Sequence, residues 1–262
     1  MAFNISIANK YSNIRLYTVK VKKNNLSNNT CKDLVLWGEN IYSPALTRRV
    51  TNVELNMLKL TFYQRSIIVG LLLSDGWLSY PNPLSKYPRL GFEQTINRSH
   101  YVWFVFRALA CFCSIYPSYK YRSGRGIVLW SVTFSTRGLP CLVEFYNLFY
   151  PGPQPSGMGS KVKVIPHNIY NILTPVALAH VIMGDGRQAN TGISLCTDSY
   201  SIQDVVRLMN VLIIRYELKC TLHKASNGKG YRIYISRHSV SKVVELVKPY
   251  FIPNMYYKLG II

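Results

Sequence analysis

One segment of the chain occurs twice in diverged form. Gln64–Gly76 reads Q-R-S-I-I-V-G-L-L-L-S-D-G, and Thr174–Gly186 reads T-P-V-A-L-A-H-V-I-M-G-D-G. Each is an apolar stretch of helical length that ends in a small residue, Asp and Gly. The two aspartates, Asp75 and Asp185, are 110 positions apart. A repeat of this length can form a domain-sized unit, so the sequence predicts two copies of one fold.

The similarity continues downstream of each motif. Leu90–Thr95 and Ile193–Asp198 alternate apolar and polar residues like half-buried strands. A helix that begins at a hydroxyl cap is predicted after each, at Ser99 and at Ser201. Further strand pairs are predicted at Tyr119–Arg122 with Val128–Ser135 and at Lys219–Lys224 with Tyr231–Ser236. With a last helix, each copy is predicted to have the order αββαββα, which places the chain in the α+β class.

Composition marks the boundaries of the two copies. Residues 1–50 are rich in Asn, Lys and Ser and are predicted to be an extension without a specified fold. The first repeat is assigned to residues 51–150 and the second to 167–262. Between them, residues 151–166 begin with P-G-P-Q-P, which cannot form the interior of a helix or strand, and are predicted to be a linker.

The charge of the chain predicts a polyanionic partner. It has 31 Lys and Arg against 11 Asp and Glu, a formal net charge of +20. Nucleic acid is the first candidate and an anionic membrane surface the second. The basic residues are spread among aromatic ones rather than gathered in one tract, which favours a long surface along phosphates. No apolar run approaches the roughly 20 residues that span a bilayer, so no membrane partner is expected.

The positions of the two motif aspartates are informative because acids are so few. Each is predicted at the C-terminal end of a helix, where the helix dipole disfavours a carboxylate by about 0.3–1 kcal/mol. An Asp-Gly turn would explain either residue alone. A matched pair in a basic chain instead favours a divalent cation held between Asp75, Asp185 and opposing phosphates.

The two motifs resemble those of the LAGLIDADG homing endonucleases. I-V-G-L-L-L-S-D-G (Ile68–Gly76) and L-A-H-V-I-M-G-D-G (Leu178–Gly186) carry the resemblance, which extends over about residues 55–262. It is similar to the single-chain, two-repeat kind encoded by introns of fungal mitochondria, which implies a monomer in the mitochondrial matrix. The resemblance also implies two motif helices packed at the centre and two saddle-shaped antiparallel sheets lying over double-stranded DNA. Both strands would be cut across the minor groove with Mg²⁺, for which Ca²⁺ or Mn²⁺ can substitute in the site.

The same resemblance implies roles for individual residues. Asp75 and Asp185 would bind the metal and act in catalysis. The backbone carbonyls of Ser74 and Gly184 are weaker candidates for metal ligands.

Other groups are expected around the scissile phosphates. Lys224 is the candidate for a basic residue there. Gln94 and Thr197, at matching strand ends, are candidates for positioning water. His180, which departs from the motif pattern, is expected to pack or to form a hydrogen bond between helices rather than to bind metal.

Strand alternation predicts which side chains face the DNA. If Leu90, Phe92 and Ile233 face the core, their neighbours face outward, whereas Tyr119 and Tyr121 are expected in the core. The candidate DNA contacts are Trp77, Arg89, Glu93, Lys120, Arg122, Ser131, Thr133, Arg187, Gln188, Ser194, Cys196, Thr221, His223, Lys229, Arg232 and Tyr234.

Two other functions stay open on the sequence. Proteins of this architecture also assist splicing of their host introns, so host intron RNA is a possible partner and an RNA maturase an alternative function. A DNA-binding module without catalysis is a third reading, against which the two retained aspartates argue.

Overall fold

The computed structural model of the protein describes residues 50–124, 127–152, 162–225, 228 and 230–261. The predicted extension up to residue 49, most of the predicted linker and the candidate residue Lys229 lie outside the described residues.

The first repeat has the predicted order of helices and strands. Its elements are α2 (Phe62–Leu73), β1 (Trp77–Ser79), β2 (Arg89–Thr95), α3 (Ser99–Leu109), β3 (Ser118–Gly124), β4 (Ile127–Ser135) and α4 (Val143–Phe149). A short helix that was not predicted, α1 (Asn52–Met57), precedes them.

The second repeat has the same order. After a one-turn helix, α5 (Ile169–Ile172), its elements are α6 (Pro175–Asp185), β5 (Gly186–Ala189), β6 (Gly192–Leu195), α7 (Ile202–Tyr216), β7 (Cys220–Lys224), β8 (Tyr231–Ile235) and α8 (Val240–Val247). The predicted αββαββα order is therefore confirmed in both copies. Along the described residues, no helix is both long and apolar enough to cross a membrane.

Side-chain caps fix where several of these helices begin. The Thr61 side chain accepts from the backbone N–H of Gln64, and the Gln64 side chain accepts from the backbone N–H of Thr61. This reciprocal pair is a capping box. Ser201 caps α7 through the N–H of Asp204, as predicted. The prediction that Ser99 is a cap is wrong: a 3₁₀ turn (Ile96–Arg98) leads directly into α3, so Ser99 is already helical.

Each repeat contributes one four-stranded antiparallel sheet. The strand order is β1-β2-β4-β3 in the first sheet and β5-β6-β8-β7 in the second, so the strand that follows each motif lies at an edge of its sheet. Strand β6 ends at Leu195, earlier than the predicted Asp198. Beyond it, the Thr197 hydroxyl donates to the Tyr231 carbonyl at 2.6 Å, so a side chain continues the link to β8 in place of the backbone ladder.

The two motif helices form the centre of the core. Every residue of α2 from Ser66 to Leu73 is buried, and so is every residue of α6 from Val176 to Gly184. A helix that is apolar on all sides must be covered on all sides. The helices approach closely at Gly70, where a Cβ would lie 2.5 Å from the Ala177 carbonyl oxygen and from the His180 Cβ. Glycine at this position therefore permits the central helix contact.

Candidate active site

The crossing of α2 and α6 brings the two motif ends together. Asp75 follows α2 by two residues, and Asp185 is the last residue of α6. A Cβ at Gly184 would lie 2.5 Å from the Ser74 Oγ and 3.2 Å from the Asp75 Oδ2, so the Asp75 carboxylate lies against the end of the other motif helix. The polar C-terminal ends of the two motif helices thus meet at one edge of an apolar interface.

The two carboxylates interact electrostatically. Burial, and then the charge of Asp75, raise the pKa of Asp185 to about 7. Lys163 and Lys258 oppose this shift because their positive charges favour the ionised carboxylate. A compact cation between the aspartates would act in the same direction as these lysines.

Two lysines, the buried Lys258 and the half-buried Lys163, hold the ends of the motif helices. The Lys163 Nζ donates to the Ser74 carbonyl at 2.7 Å and to the Gly76 carbonyl at 3.1 Å. The Lys258 Nζ donates to the carbonyls of the second motif end, Met183 at 2.5 Å and Gly184 at 2.7 Å.

These contacts serve both the helices and the site. A cation at the C-terminal end of a helix satisfies free carbonyls and stabilises by about 0.3–1 kcal/mol, or up to about 2 kcal/mol when partly buried. An ammonium group has three donors and two are used on carbonyls, so one remains for the aspartates or for a bound phosphate.

Burial changes the acidity of both ammonium groups. It lowers the pKa of Lys163 to about 8 and that of Lys258 to about 8, although Asp75 and Asp185 act in the opposite direction. Arg98 adds to the lowering at Lys258. Both groups therefore titrate much closer to neutrality than an ordinary lysine does.

Sequence comparison missed this pair for a definite reason. Lys163 follows Asp75 by 88 positions, whereas Lys258 follows Asp185 by 73, so the two lysines do not align in the repeat. Lys163 also lies in the segment predicted to be a linker, and Lys258 in an unpredicted 3₁₀ helix (Pro253–Leu259). The usable signal was lysine within apolar sequence, as in K-V-K-V-I and M-Y-Y-K-L.

Gln94 is a predicted site residue that the structure places against an aspartate. Gln94 lies on the buried side of β2, and its Nε2 donates to the Asp75 Oδ2 over 2.5 Å. Its counterpart Thr197 instead bonds the Tyr231 carbonyl, and within the described residues no side chain donates to the carboxylate of Asp185. The two halves of the site are therefore chemically different.

Two tyrosines connect each repeat to the motif helix of the other. The Tyr200 hydroxyl donates to the carbonyls of Leu72 and Leu73, both at 3.2 Å. The Tyr101 hydroxyl lies 2.9 Å from the His180 Nδ1. His180 is fully buried, and burial lowers its pKa to about 3, so it is a neutral packing residue as expected.

The remaining candidates near the site lie apart or are already engaged. Lys224 is exposed at the end of β7, opposite Tyr231, so its catalytic role remains a prediction. The carbonyls of Ser74 and Gly184 accept from the two lysines, which leaves one lone pair of each oxygen for any other ligand.

The outward face of the first sheet is organised around one acid. Glu93 accepts from Ser131 at 2.8 Å and from Arg122 at 3.2 Å, and the Lys120 Nζ lies 3.8 Å away. Arg89 and Trp77 lie on the same face and line, with Lys120, a cavity of about 210 Å³. The predicted outward residues of this sheet thus share one surface.

The second sheet has a different set of contacts. Arg232 forms a two-pronged ion pair with Asp198, at 2.8 and 2.6 Å. The His223 ring stacks on Tyr234, and its Nε2 lies 2.9 Å from the Thr221 hydroxyl. Arg187, Gln188 and Cys196 are at least partly exposed on β5 or just beyond β6.

Two groups of side chains differ from the expected exposure. Thr133 and Ser194 are buried among larger neighbours, and the Thr133 hydroxyl donates to the Phe92 carbonyl. The prediction that Tyr119 and Tyr121 lie in the core is wrong, because both are more than half exposed. Strands β3 and β4 extend past the helices that cover the rest of the sheet's inner side.

The donor set at the motif ends fits a metal ion shared with a substrate. Asp75 and Asp185 supply carboxylate oxygens, the ligands that Mg²⁺ prefers. No group of three or more His, Cys, Asp or Glu side chains that could enclose an ion occurs among the described residues. Mg²⁺ is commonly held by one or two carboxylates together with phosphate oxygens and water, which is what this pair offers.

Comparison with known proteins agrees with these features. The chain is 32% identical over 180 residues to the cytochrome b mRNA maturase bI2 of Debaryomyces hansenii, covering 67% of this chain and 65% of that protein. It is 27% identical over 216 residues to the DNA endonuclease I-ChuI of Chlamydomonas applanata, covering 78% of this chain and 97% of that one. The fold matches the homing endonuclease I-WcaI bound to its DNA recognition sequence, with a TM-score of 0.69 at 23% identity over 79% of this chain and 91% of that one. The family model described as the LAGLIDADG DNA endonuclease family matches residues 65–243, more than half of the chain, and the protein therefore belongs to this family.

Proposed function

We propose that the protein is a site-specific endonuclease that cuts both strands of a DNA duplex with a divalent metal ion. The observation that carries the proposal is the meeting of Asp75 and Asp185 beside two lysines at the crossing of the motif helices. A relative named as a DNA endonuclease, similar along nearly its whole length, supports the same activity. Relatives named as cytochrome b maturases support an intron-encoded, mitochondrial origin, and we infer that the protein acts as a monomer with two unequal half-sites.

The chemistry assigns a task to each group in the site. When bound, Mg²⁺ would supply Lewis-acid stabilisation of the charge that develops on the reacting phosphate. Asp75 and Asp185 would hold that ion. Gln94, already bonded to the Asp75 Oδ2, fixes one carboxylate and can orient a water molecule beside it.

The two lysines contribute positive charge and a proton. With a pKa of about 8, each ammonium group is mostly protonated at neutral pH. The third N–H of Lys163 and of Lys258 can donate to a non-bridging phosphate oxygen or to the departing O3′. Placing both groups in a buried site strengthens these interactions relative to water.

The outward faces of both sheets would bind the duplex. Arg89, Lys120, Arg122 and Arg187 are exposed and can reach phosphates or guanine edges, and Glu93 can accept from cytosine. The net charge of +20 supplies the long-range attraction.

RNA binding in support of splicing is a second candidate function. One relative is named as an mRNA maturase. The specific observation on this chain is a row of exposed aromatic side chains on strands β3 and β4, away from the outward face of the sheet. Such side chains stack on unpaired bases, which RNA presents and an intact DNA duplex does not.

The metal assignment is tested by Asp75→Asn and Asp185→Asn. The target is first selected from a randomised duplex library with the unaltered protein. Each variant should then lose double-strand cleavage by roughly 10³-fold or more, because a metal ion supplies several kcal/mol of charge stabilisation. Binding of the duplex in a gel-shift assay should remain measurable.

A matched control is Glu144→Gln, which removes an exposed acid paired with Arg65. It should cleave at the normal rate. Full cleavage by either aspartate variant would disprove the assignment of the site.

A further inference from the structure

The hairpin formed by β3 and β4 is longer than its counterpart in the second repeat. Gly91 and Ser194 are equivalent positions, because each pairs with the residue that follows a motif glycine. On the other side of its strand, Gly91 pairs with Ser135 and Ser194 pairs with Tyr234. Two positions back along those strands, Thr133 pairs with Ser118 and Arg232 with His223. Beyond these matched pairs, the strands of the first hairpin form six more pairs, from Tyr119 with Val132 to Gly124 with Ile127, whereas those of the second form one, Lys224 with Tyr231. The first ladder is therefore longer by five pairs, or roughly 17 Å at the usual rise per strand residue.

The register of this hairpin separates two kinds of side chain. Lys120 and Arg122 alternate onto the outward face of the sheet, where both approach Glu93. Tyr121 pairs directly with Trp130, and Tyr119 and Val128 share their face. This second face, the inner side of the sheet beyond its helix cover, is called the hairpin aromatic face below and consists of Tyr119, Tyr121, Val128 and Trp130.

The hairpin aromatic face is strongly exposed. Its side chains are 61%, 67%, 53% and 49% accessible in the order of their numbers. The rings of Tyr121 and Trp130 have centroids 5.5 Å apart at 47°, so they form one continuous apolar surface. Contiguous exposed apolar surface of this kind in a water-soluble fold commonly marks a binding site.

The fold does not require this surface. In the shorter hairpin of the second repeat, Lys224 and Tyr231 are the last pair, and the preceding apolar residues Leu222 and Ile233 are partly or fully buried. The extra length of the first hairpin thus carries aromatic residues that stabilise no part of the core.

Charge selects the class of partner. The segment 118–135 contains Lys120, Arg122 and Arg125 but no Asp or Glu, so it complements a polyanion. Aromatic rings alternating with cations bind unpaired nucleotides, because every base has a face that stacks on a ring while its phosphate contacts a cation. Duplex DNA bound to the outward face has its bases stacked already, whereas RNA presents them in loops and single strands.

We propose that the hairpin aromatic face binds unpaired bases of RNA while the outward face of the same sheet binds DNA. This proposal rests on the second candidate function, the support of splicing, and not on DNA cleavage. The hairpin then serves two nucleic acids on opposite faces, with its cations able to reach the phosphates of either one.

The test compares RNA binding with DNA cleavage in a double variant, Tyr121→Thr with Trp130→Thr. Threonine keeps the preference for a strand and removes both rings. The probe is a fluorescein-labelled single-stranded 12-nucleotide RNA of mixed sequence, followed by fluorescence anisotropy. Loss of two stacked rings should weaken its binding by about tenfold or more. A blunt RNA duplex should bind equally to both proteins, and DNA cleavage should be unchanged.

A matched control is Phe62→Thr, which removes a 73% exposed ring at the start of α2, outside the hairpin. It should bind the single-stranded RNA normally. Equal affinity of the double variant and the unaltered protein for that RNA would overturn the proposal. So would a dimer of the unaltered protein in light scattering that the double variant loses, since the surface would then bind a second copy. The catalytically impaired Asp75→Asn variant should still bind the RNA, which separates this proposal from that of DNA cleavage.

Discussion

The two repeats have the same arrangement of buried helices and strands but differ in the polar side chains that these elements carry. Both have the same element order, the same strand order and a motif helix that is buried along most of its length. In the first repeat Gln94 bonds the motif aspartate, whereas in the second the aspartate has no such donor among the described residues. The outward face holds Glu93 with two cations in one case and the Asp198–Arg232 pair in the other.

This difference separates what the fold requires from what the function uses. Apolar residues at equivalent positions had to stay apolar, because both sheets and both motif helices share one core. Under the proposed function the two half-sites would contact different DNA sequences, so polar residues on the outward faces would be free to diverge. The exception is the pair Lys163 and Lys258, which come from different stretches of sequence and both donate to the carbonyl that precedes a motif aspartate.

The largest effect that tests this equivalence should come from Lys163→Met and Lys258→Met. Methionine keeps the length of the side chain and removes the charge, so each motif end loses its ammonium group. Each variant should slow cleavage about 10²- to 10⁴-fold, the usual contribution of a proton-donating group. Strand-specific end labels in a single-turnover assay would measure the loss on each DNA strand.

Equal losses would show that the two lysines do the same work despite their unequal spacing from the motifs. Lys248→Met, at an exposed lysine in the second repeat, is the control and should leave the rate unchanged. Thermal unfolding of all three variants distinguishes a loss of chemistry from a loss of folded protein. Cleavage rates within twofold of normal for both Lys163→Met and Lys258→Met would show that neither lysine takes part in the reaction.

A smaller and one-sided effect is expected for Gln94. Gln94→Ala should slow cleavage about 10- to 100-fold, which is typical when a metal-binding carboxylate loses its hydrogen-bond partner. The counterpart change, Thr197→Val, should alter the rate little because the hydroxyl bonds the Tyr231 carbonyl instead. Nicking rates measured separately on the two strands would show whether Gln94 serves one strand. Similar losses in both variants would mean that the two halves of the site are equivalent after all.

The order of helices and strands could be predicted well because it depends on the pattern of apolar residues. Hydrophobic stretches of helical length, strand positions and the Ser201 cap are local signals, and each was confirmed except that β6 ends at Leu195 instead of Asp198. The Ser99 cap failed because a 3₁₀ turn continued the helix backwards, a choice that depends on the chain before it. Exposure of Tyr119 and Tyr121 depends on which elements cover which, and the repeat pattern alone does not contain that information.

The site was predicted only where residues are close to the motifs in sequence. Asp75, Asp185 and Gln94 come together through two helix ends and one neighbouring strand. Lys163 and Lys258 arrive from chain segments 88 and 73 positions away, after all strands of their repeat. Contacts of that range depend on three-dimensional packing, so a pattern search passes over them.

An effect on stability rather than on rate is expected in the pH dependence of the metal-free protein. The pKa of Asp185 is raised from 3.8 to about 7, so the folded state retains a proton that the unfolded chain releases. The free energy of unfolding should therefore fall as pH rises from about 4 to about 7, by about 1.4 kcal/mol per pH unit at most. Asp185→Asn removes this group, so the variant should gain stability relative to the unaltered protein over that window and not above it.

Urea unfolding at half-unit steps from pH 5 to pH 8 would measure the difference between the two proteins. Lys163 and Lys258 do not affect the change in stability between pH 4 and pH 7. Lowering a lysine pKa from 10.5 to about 8 makes stability rise with pH only between those two values. Glu144→Gln should differ from the unaltered protein by a constant amount across the same range. A constant difference for Asp185→Asn as well would mean that this aspartate is not buried against its counterpart. The two motif ends would then not form the shared, strongly coupled site on which a two-repeat nuclease depends.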